Sequence, residues 1–169
     1  LNRRQLYLAT NNGLWLSEDG GMNWRVAGSN LAGVSVADVF SHSQQRGRWI
    51  AIGAGGIWRT ANAGTRWSDI SNGLPSASQI HDIVPLATTP ETLLALNGGT
   101  MPVPSGHQPV WRSSNGGTSW MPSMLGLEDI NLQELIPHPG DPKNAFGLSI
   151  NGIARTEDGG RSWQHDVLA

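Results

Sequence analysis

The sequence contains no cysteine, which excludes disulfide bonds, thiolate metal sites and cysteine nucleophiles. Charged residues make up only 14% of the 169 residues, and 11 Lys and Arg against 13 Asp and Glu leave a net charge of −2. This balance provides no basic field for a phosphate backbone, so nucleic acid is not an expected partner. No apolar run reaches the roughly 18 residues of a membrane-spanning helix, so we expect no membrane insertion.

Lysine and tyrosine are almost absent, each with one representative, Lys143 and Tyr7. Glycine and proline are abundant instead, with 22 and 10 residues, and this composition is typical of a turn-rich all-β protein. The length fits one domain with a real core, which we place at residues 1–169. A cysteine-free chain is compatible with either side of the cell membrane, and we favour an extracytoplasmic or secreted location.

Four eight-residue segments share the pattern [Ser/Thr]-x-[Asp/Asn]-x-Gly-x-x-Trp, and we call each a turn box. They begin 43, 53 and 43 residues apart, a period that belongs to propeller blades or paired-helix solenoids. Glycine-rich, short β-type runs favour the propeller. The defining residues are Ser17, Asp19, Gly21 and Trp24; Thr60, Asn62, Gly64 and Trp67; Ser113, Asn115, Gly117 and Trp120; and Thr156, Asp158, Gly160 and Trp163.

Strand-like segments recur around each turn box and predict four-stranded antiparallel blades. The predicted innermost strands are 36–42, 80–87 and 132–138, and the second strands are 6–10, 49–53, 93–97 and 145–150. The third strands are 13–16, 56–59, 109–112 and 152–155, and the outer strands are 24–27, 67–70, 120–123 and 163–167. Residues 1–5 are too few for an innermost strand, so the first blade should lack one. The predicted blades span about 6–27, 35–70, 80–124 and 131–167.

Each turn box has a local physical role. The Asp or Asn side chain can accept backbone N–H groups a few residues ahead, and glycine supplies the positive φ at which the chain reverses. The Trp can then return over the hairpin and bury its ring. We therefore assign the turn boxes to structure.

The turn boxes, with the preceding wording Gly-[Leu/Ile/Val]-Trp-Arg, resemble the Asp-box or BNR repeat. The extended motif is most similar to that of the Asp-box branch that includes xyloglucanases, sortilin-type receptors and photosystem II assembly factors. The resemblance implies a β-propeller of sialidase-like fold, with the boxes on the face away from the usual ligand site. It implies no single function, because these repeats occur in proteins of very different activity. Asn62 and Asn115 depart from the strict motif but can accept the same backbone bonds.

Two enzymatic interpretations can be examined from the residues. A sialidase needs a tyrosine nucleophile and an arginine triad, but Tyr7 is predicted inside a strand and no Arg-Ile-Pro tripeptide occurs. A glycosidase needs two carboxylates facing one cleft, and Asp38, Asp82 and Glu134 share one position on the innermost strands, with Asp129 as a further acid. These acids can equally repeat a structural task, such as accepting bonds from a neighbouring blade.

Other candidate residues also recur with the repeat. Seven of the eight tryptophans fall at two repeat positions, which favours packing over ligand stacking. Arg59, Arg112 and Arg155 share a third-strand position and predict either a row of ion pairs or a basic stripe for a protein or anionic partner. No zinc-type spacing occurs, so we expect no metal and no cofactor, and we read the histidines as solvated or capping. They are His42, His81, His107, His138 and His165.

The third repeat is ten residues longer than its neighbours, and the excess lies in 97–109, between the second and third strands. Loops of this type lie on the face opposite the turn boxes, where propellers usually bind their ligands, so the insertion is a candidate binding element. A neutral insertion is the alternative. The candidate partner-binding residues are Met101, Val103, His107 and Gln108.

We therefore predict a non-catalytic β-propeller scaffold that binds a protein or a glycan. The alternative is a glycoside hydrolase of xyloglucanase-like type, or a fragment of one. End blades of an open array would expose apolar faces and free edges, so we also predict self-association or membership of a longer propeller chain.

Overall fold

The computed structural model describes residues 5–42, 47–74, 79–88, 91–98, 110–128 and 130–167. Within these ranges the regular structure is mainly β-strand, and a short 3-10 helix lies at Ser29–Leu31. The described part contains no helix long and apolar enough to cross a membrane. The strands form four antiparallel sheets, each a meander in chain order.

The four sheets correspond to the four predicted blades. Blade 1 has three strands, β1 (Leu6–Thr10), β2 (Gly13–Ser17) and β3 (Arg25–Val26). Blade 2 consists of β4 (Val36–Ser41), β5 (Trp49–Gly53), β6 (Gly56–Thr60) and β7 (Ser68–Asp69). Blade 3 consists of β8 (Ile80–Leu86), β9 (Thr92–Asn97), β10 (Val110–Ser113) and β11 (Met121–Pro122). Blade 4 consists of β12 (Glu134–Pro137), β13 (Ala145–Ser149), β14 (Gly152–Thr156) and β15 (Gln164–Val167).

The predicted all-β fold of propeller blades is confirmed, and within the described residues blade 1 has three strands, as predicted. The outer strands differ from the prediction because they begin after the box Trp and, in blades 1 to 3, contain only two residues. One further ladder-like bond follows each of these short strands, for example from Ala27 N–H to Leu14 O at 2.7 Å. The outer edge is therefore held by a few backbone bonds and by the turn box beside it.

The chain divides into two compact units, residues 1–71 and 72–169, and each contains two blades. The core of the first unit includes Leu14, Leu16, Leu31, Trp58 and Trp67. The core of the second unit includes Leu94, Leu96, Leu127, Leu132 and Trp163. Strand alternation explains both cores, because every second side chain of a blade turns toward its neighbour in the same unit.

The linker that leaves one blade packs against the box Trp of the next blade, and we call this contact the tryptophan socket. In the first unit, Asn30 Nδ2 donates to Trp67 O at 2.9 Å. In the second unit, Trp163 N–H donates to Leu125 O at 2.9 Å, and its indole Nε1–H donates to Ser123 Oγ at 3.1 Å. The sockets therefore tie successive blades together at the box end.

Blade 1 and blade 4 each carry partly exposed apolar side chains on one face. In blade 1, Leu6 and Leu8 are 43% and 49% exposed on the same face of β1. In blade 4, Ile136 and Ile153 are 38% and 43% exposed, whereas Leu135 and Ala154 on the opposite face are buried. Each of these blades therefore presents one packed face and one apolar face open to solvent.

Candidate functional site

All four turn boxes form the same hydrogen-bond arrangement. The Ser or Thr hydroxyl donates to Oδ1 of the Asp or Asn at 2.8–2.9 Å and accepts the N–H of the pattern glycine at 2.8–3.1 Å. The same Oδ1 accepts the N–H of the residue before the Trp at 2.9–3.0 Å. The turn therefore satisfies backbone donors that the short outer strand leaves free.

The two aspartate boxes make more bonds than the asparagine boxes. Oδ1 of Asp19 also accepts Met22 N–H at 3.0 Å, and that of Asp158 accepts Arg161 N–H at 2.8 Å. Hydrogen bonds from Asn23 are the main cause that lowers the pKa of Asp19 to about 2. Burial raises the pKa of Asp158, but bonds led by those from Ser162 outweigh it and lower this pKa to about 2. Both carboxylates are thus held ionised.

The three acids of the innermost strands occupy equivalent register positions. Asp38 lies opposite Ile52, Asp82 opposite Leu96, and Glu134 opposite Leu148. Each partner is the last residue but one of the second strand of its blade. The pairing on β4 and on β8 is irregular just before the aspartate. The sequence alignment therefore placed these acids correctly, although it did not anticipate the irregularity.

The acids differ in environment despite their shared register. Asp82 is half-buried, and its Oδ2 accepts Leu135 N–H of β12 at 2.6 Å. Burial raises the pKa of Asp82; hydrogen bonds from Leu135 and Ile83 oppose that rise, and the charge of Glu134 adds to it. Asp38 is exposed and accepts the N–H of the next residue, Val39, at 2.7 Å. Asp82 thus joins two innermost strands, and a catalytic role for these acids stays a prediction.

Tyr7 lies in β1, as predicted, with its ring 4.4 Å from that of Trp49 and 6.4 Å from that of Trp67. Its buried hydroxyl has no hydrogen-bond partner in the described part of the chain. Burial, opposed by Arg25 and reinforced by Glu18, raises the pKa of Tyr7 to about 12. A phenol in this setting is a packing group and a poor nucleophile.

The box tryptophans are packing residues, with one exception. Trp67, Trp120 and Trp163 are only 3–7% exposed. Trp24 is 38% exposed, because no described linker forms a socket over it, and its indole N–H bonds locally to Gly21 O at 3.0 Å. Exposure of this ring thus follows from its place in the first blade.

The three arginines of the third strands do not share one role. Arg155 pairs with Glu157 at 2.6 Å on the surface and lies 6.0 Å from the centre of the Phe146 ring. Arg112 is only 8% exposed, and its Nε–H donates to Gly159 O at 2.6 Å across the two blades of the second unit. The expected row of ion pairs is therefore local in blade 4 and absent around Arg112 within the described residues.

Arg112 lies at a cleft of about 360 Å³ between blades 3 and 4, at the turn-box end. The sequence analysis singled out only two of the lining residues, Arg112 and Asp158. The cleft itself was not predicted, because the other lining residues come from segments that are far apart in the sequence. The lining residues are Thr88, Thr92, Arg112, Ser114, Lys143, Asp158, Gly159 and Arg161.

The described residues hold no group of three His, Asp or Glu side chains that could bind a metal ion. His138 Nδ1 accepts Gly140 N–H at 3.1 Å, which is the expected capping role. His42, by contrast, is buried and follows the last residue of β4, so of the two predicted roles, solvated or capping, it does not have the solvated one. The four loop residues proposed for partner binding and Asp129 lie outside the described residues.

Neither family models nor curated proteins match this chain. Solved structures do match, among them an ancestral GH74 enzyme with 17% identity and a TM-score of 0.68, over 95% of this chain and 22% of that one. The GH74 enzyme of Niastella koreensis has 16% identity and a TM-score of 0.67, over 98% and 28%. YCF48 bound to D1 peptide has 17% identity and a TM-score of 0.61, over 99% and 51%.

The chain thus spans between about a fifth and a half of the length of these structures. At such low identity the likeness concerns the fold, and activity does not follow from it. The protein shares the β-propeller fold of GH74 enzymes and YCF48.

Proposed function

We propose that this chain is a non-catalytic β-propeller scaffold that binds a protein partner or a glycan. The observation that carries the proposal is the bond from Leu135 N–H to the Asp82 carboxylate. A carboxylate that satisfies a backbone donor of the next blade supports the innermost strands, and it is not free to act on a substrate.

The repeated polar residues are also occupied by structural bonds, because every turn box uses its hydroxyl and its Asp or Asn internally. We therefore expect the partner to be bound by residues that differ from the repeat, while the repeated residues hold the blades in place. A protein partner is the favoured class, since YCF48, which has the same fold, is known bound to D1 peptide.

A glycoside hydrolase of xyloglucanase-like type, or a fragment of one, is the second candidate. One observation favours it: burial raises the pKa of Asp82, and the charge of Glu134 raises it further. A general acid beside a second carboxylate is what glycoside hydrolysis requires. The likeness in fold to GH74 enzymes is consistent with this candidate.

Two assays on the same preparations separate the candidates. Binding is measured on a peptide array and a glycan array, and hydrolysis is measured as reducing ends released from xyloglucan. For a scaffold we expect saturable binding, no released reducing ends, and unchanged binding by a folded Asp82→Asn variant. Hydrolysis that disappears in Asp82→Asn or Glu134→Gln would assign the chain to the hydrolases instead.

The long loop of the third repeat is the sequence-based candidate for the binding element. Replacement of 101–107 by a short glycine-containing turn should leave the melting temperature unchanged and weaken binding of the partner found on the array. The matched control is a same-length Gly-Ser replacement, which keeps the reach of the loop and removes its side chains. Unchanged affinity in both variants would make the insertion neutral.

A further inference from the structure

The cleft between blades 3 and 4 has an unusual charge balance. Among the described residues, three cationic side chains, Arg112, Lys143 and Arg161, line it together with one carboxylate, Asp158. That carboxylate is already bonded to the hydroxyls of Thr156 and Ser162. We call the group of Arg112, Lys143 and Arg161, with the hydroxyls of Thr92 and Ser114, the cationic cleft.

The cations of this cleft outnumber the carboxylates that the described residues place there. Within the described residues the structure gives none of the three an ion pair; Arg112 donates to Gly159 O, and Arg161 Nη1 donates to Asp158 O at 3.3 Å. Burial, together with the charge of Arg161, lowers the pKa of Arg112, and Asp158 opposes this. A buried guanidinium beside a second cation is unfavourable unless an anion completes the site.

Two of the three cations also depart from the repeat. The turn-box position of Arg161 is held by Met22, Thr65 and Thr118 in the other boxes, so the turn itself does not need a cation there. Lys143 is the only lysine of the chain. Deviations from a repeat that meet in one cleft are typical of a grafted binding site.

We infer that the cationic cleft binds a carboxylate of an acidic segment in a protein partner. Arginine and lysine beside two hydroxyls provide the donors that a carboxylate accepts. Asp158, which stays ionised in the wall, disfavours a dianion such as phosphate more than a monoanionic carboxylate. The inference rests on the proposed scaffold function, and it names the partner chemistry and the place of contact.

The test uses the intact chain and two short peptides, Gly-Ser-Glu-Glu-Gly-Ser and its Gln-Gln counterpart, both acetylated at the N-terminus and amidated at the C-terminus so that only the Glu peptide carries carboxylates. A ¹H–¹⁵N NMR titration follows the backbone N–H signals of Gly159 and Arg161, since such a titration detects millimolar binding. We expect saturable shifts with the Glu peptide, none with the Gln peptide, and weaker binding as NaCl rises. The double variant Lys143→Gln/Arg161→Thr should weaken binding at least about tenfold, the loss expected for charge-assisted bonds.

Arg161→Thr reproduces the residue of the second and third turn boxes, so the double variant should remain folded, as a thermal melt will show. Arg155→Gln is the matched control, because it removes an arginine of the same blade outside the cleft; it should bind the Glu peptide normally. Equal shifts with both peptides, or no shifts with either, would overturn the assignment of the cleft as a carboxylate site. The scaffold function is tested separately, by binding on the peptide and glycan arrays. Shifts at these signals with inorganic phosphate or polygalacturonate, and none with the Glu peptide, would overturn the acidic protein segment as the partner.

Discussion

At the scale of single residues, the four turn boxes show how one geometry is reached with different chemistry. Asn62 and Asn115 accept the hydroxyl and the backbone N–H through the same oxygen as Asp19 and Asp158. The asparagine boxes lack a charge, and the described bonds give them one backbone donor fewer. The four turn boxes therefore have the same geometry, but only the two aspartate boxes should respond to pH.

The aspartate boxes should make stability fall at acid pH. The folded pKa values of Asp19 and Asp158 are about 2, below the ordinary 3.8. Their contribution is therefore fully present above pH 4 and is lost as the pH falls from about 4 toward 2. Asp19→Asn/Asp158→Asn should flatten the dependence of the free energy of unfolding on pH in this window, as urea unfolding would measure. Asp38→Asn is the control for a lost surface charge; parallel profiles for all three proteins would contradict the prediction.

Ala63 occupies a backbone conformation in which the other boxes have glycine. Its φ is 53°, and the corresponding Gly20 has a φ of 82°. Relief of the left-handed strain should outweigh the entropy of glycine, so Ala63→Gly should stabilise the fold by about 0.5 kcal/mol. Gly20→Ala, where an added Cβ meets nothing within 4 Å, should destabilise it by about 0.5 kcal/mol, because the left-handed strain exceeds the entropy that alanine removes from the unfolded chain. Chemical denaturation of both variants checks the pair, and a loss of stability in Ala63→Gly would refute it.

At the scale of elements, blade order and the turn boxes could be predicted from the sequence because their causes are local. The box bonds join residues within four positions of one another, so the pattern carries its own geometry. The sockets were not predicted, because their linkers are spaced differently: Gly28, which packs against Trp67, follows Trp24 by four residues, whereas Gly126, which packs against Trp163, follows Trp120 by six. The cationic cleft could not be predicted either, since it needs the packing of two blades.

The tryptophan socket leaves no room for a side chain at Gly126. An added Cβ would lie 1.9 Å from the carbonyl oxygen of Trp163, and the residue has a φ of 85°. Gly33 has a φ of 76°, and its added Cβ would meet nothing within 4 Å, so Gly33→Ala measures the effect of alanine on a left-handed backbone without a clash. Gly126→Ala should lose about 2 kcal/mol more of the free energy of unfolding than Gly33→Ala does. Equal losses of the free energy of unfolding in the two variants, measured by urea unfolding, would mean that the tryptophan socket rearranges to accept the added Cβ.

At the scale of the whole molecule, the two exposed apolar faces require an account. Blade 1 exposes Leu6 and Leu8, and blade 4 exposes Ile136 and Ile153. Further blades of one propeller would cover such faces in the same way that blades cover each other within each unit. In a solution of this chain alone, a second copy is the surface available to cover them.

The purified chain should therefore associate at micromolar concentration, with a mass by light scattering that rises with concentration. Ile153→Lys should reduce this association, because it places a charge in the apolar face of blade 4. Ile150→Lys is the matched control, since Ile150 is 79% exposed and follows β13 outside the paired strands. A monomer at all concentrations, with cooperative unfolding, would remove the need for a second copy.

The tryptophan sockets have a consequence for the evolutionary history of such arrays. Within each unit the linker is fitted to the box Trp of the second blade, so the linker that starts at Ser123 is matched to Trp163 and not to the Trp of its own blade. Duplicated blades fit one another while their sequences are still alike, because every linker then meets the same partner. Once the copies have diverged, an inserted blade meets a foreign neighbour at both of its ends. Changes of blade number should therefore be easiest soon after duplication, and old arrays should keep the number they have.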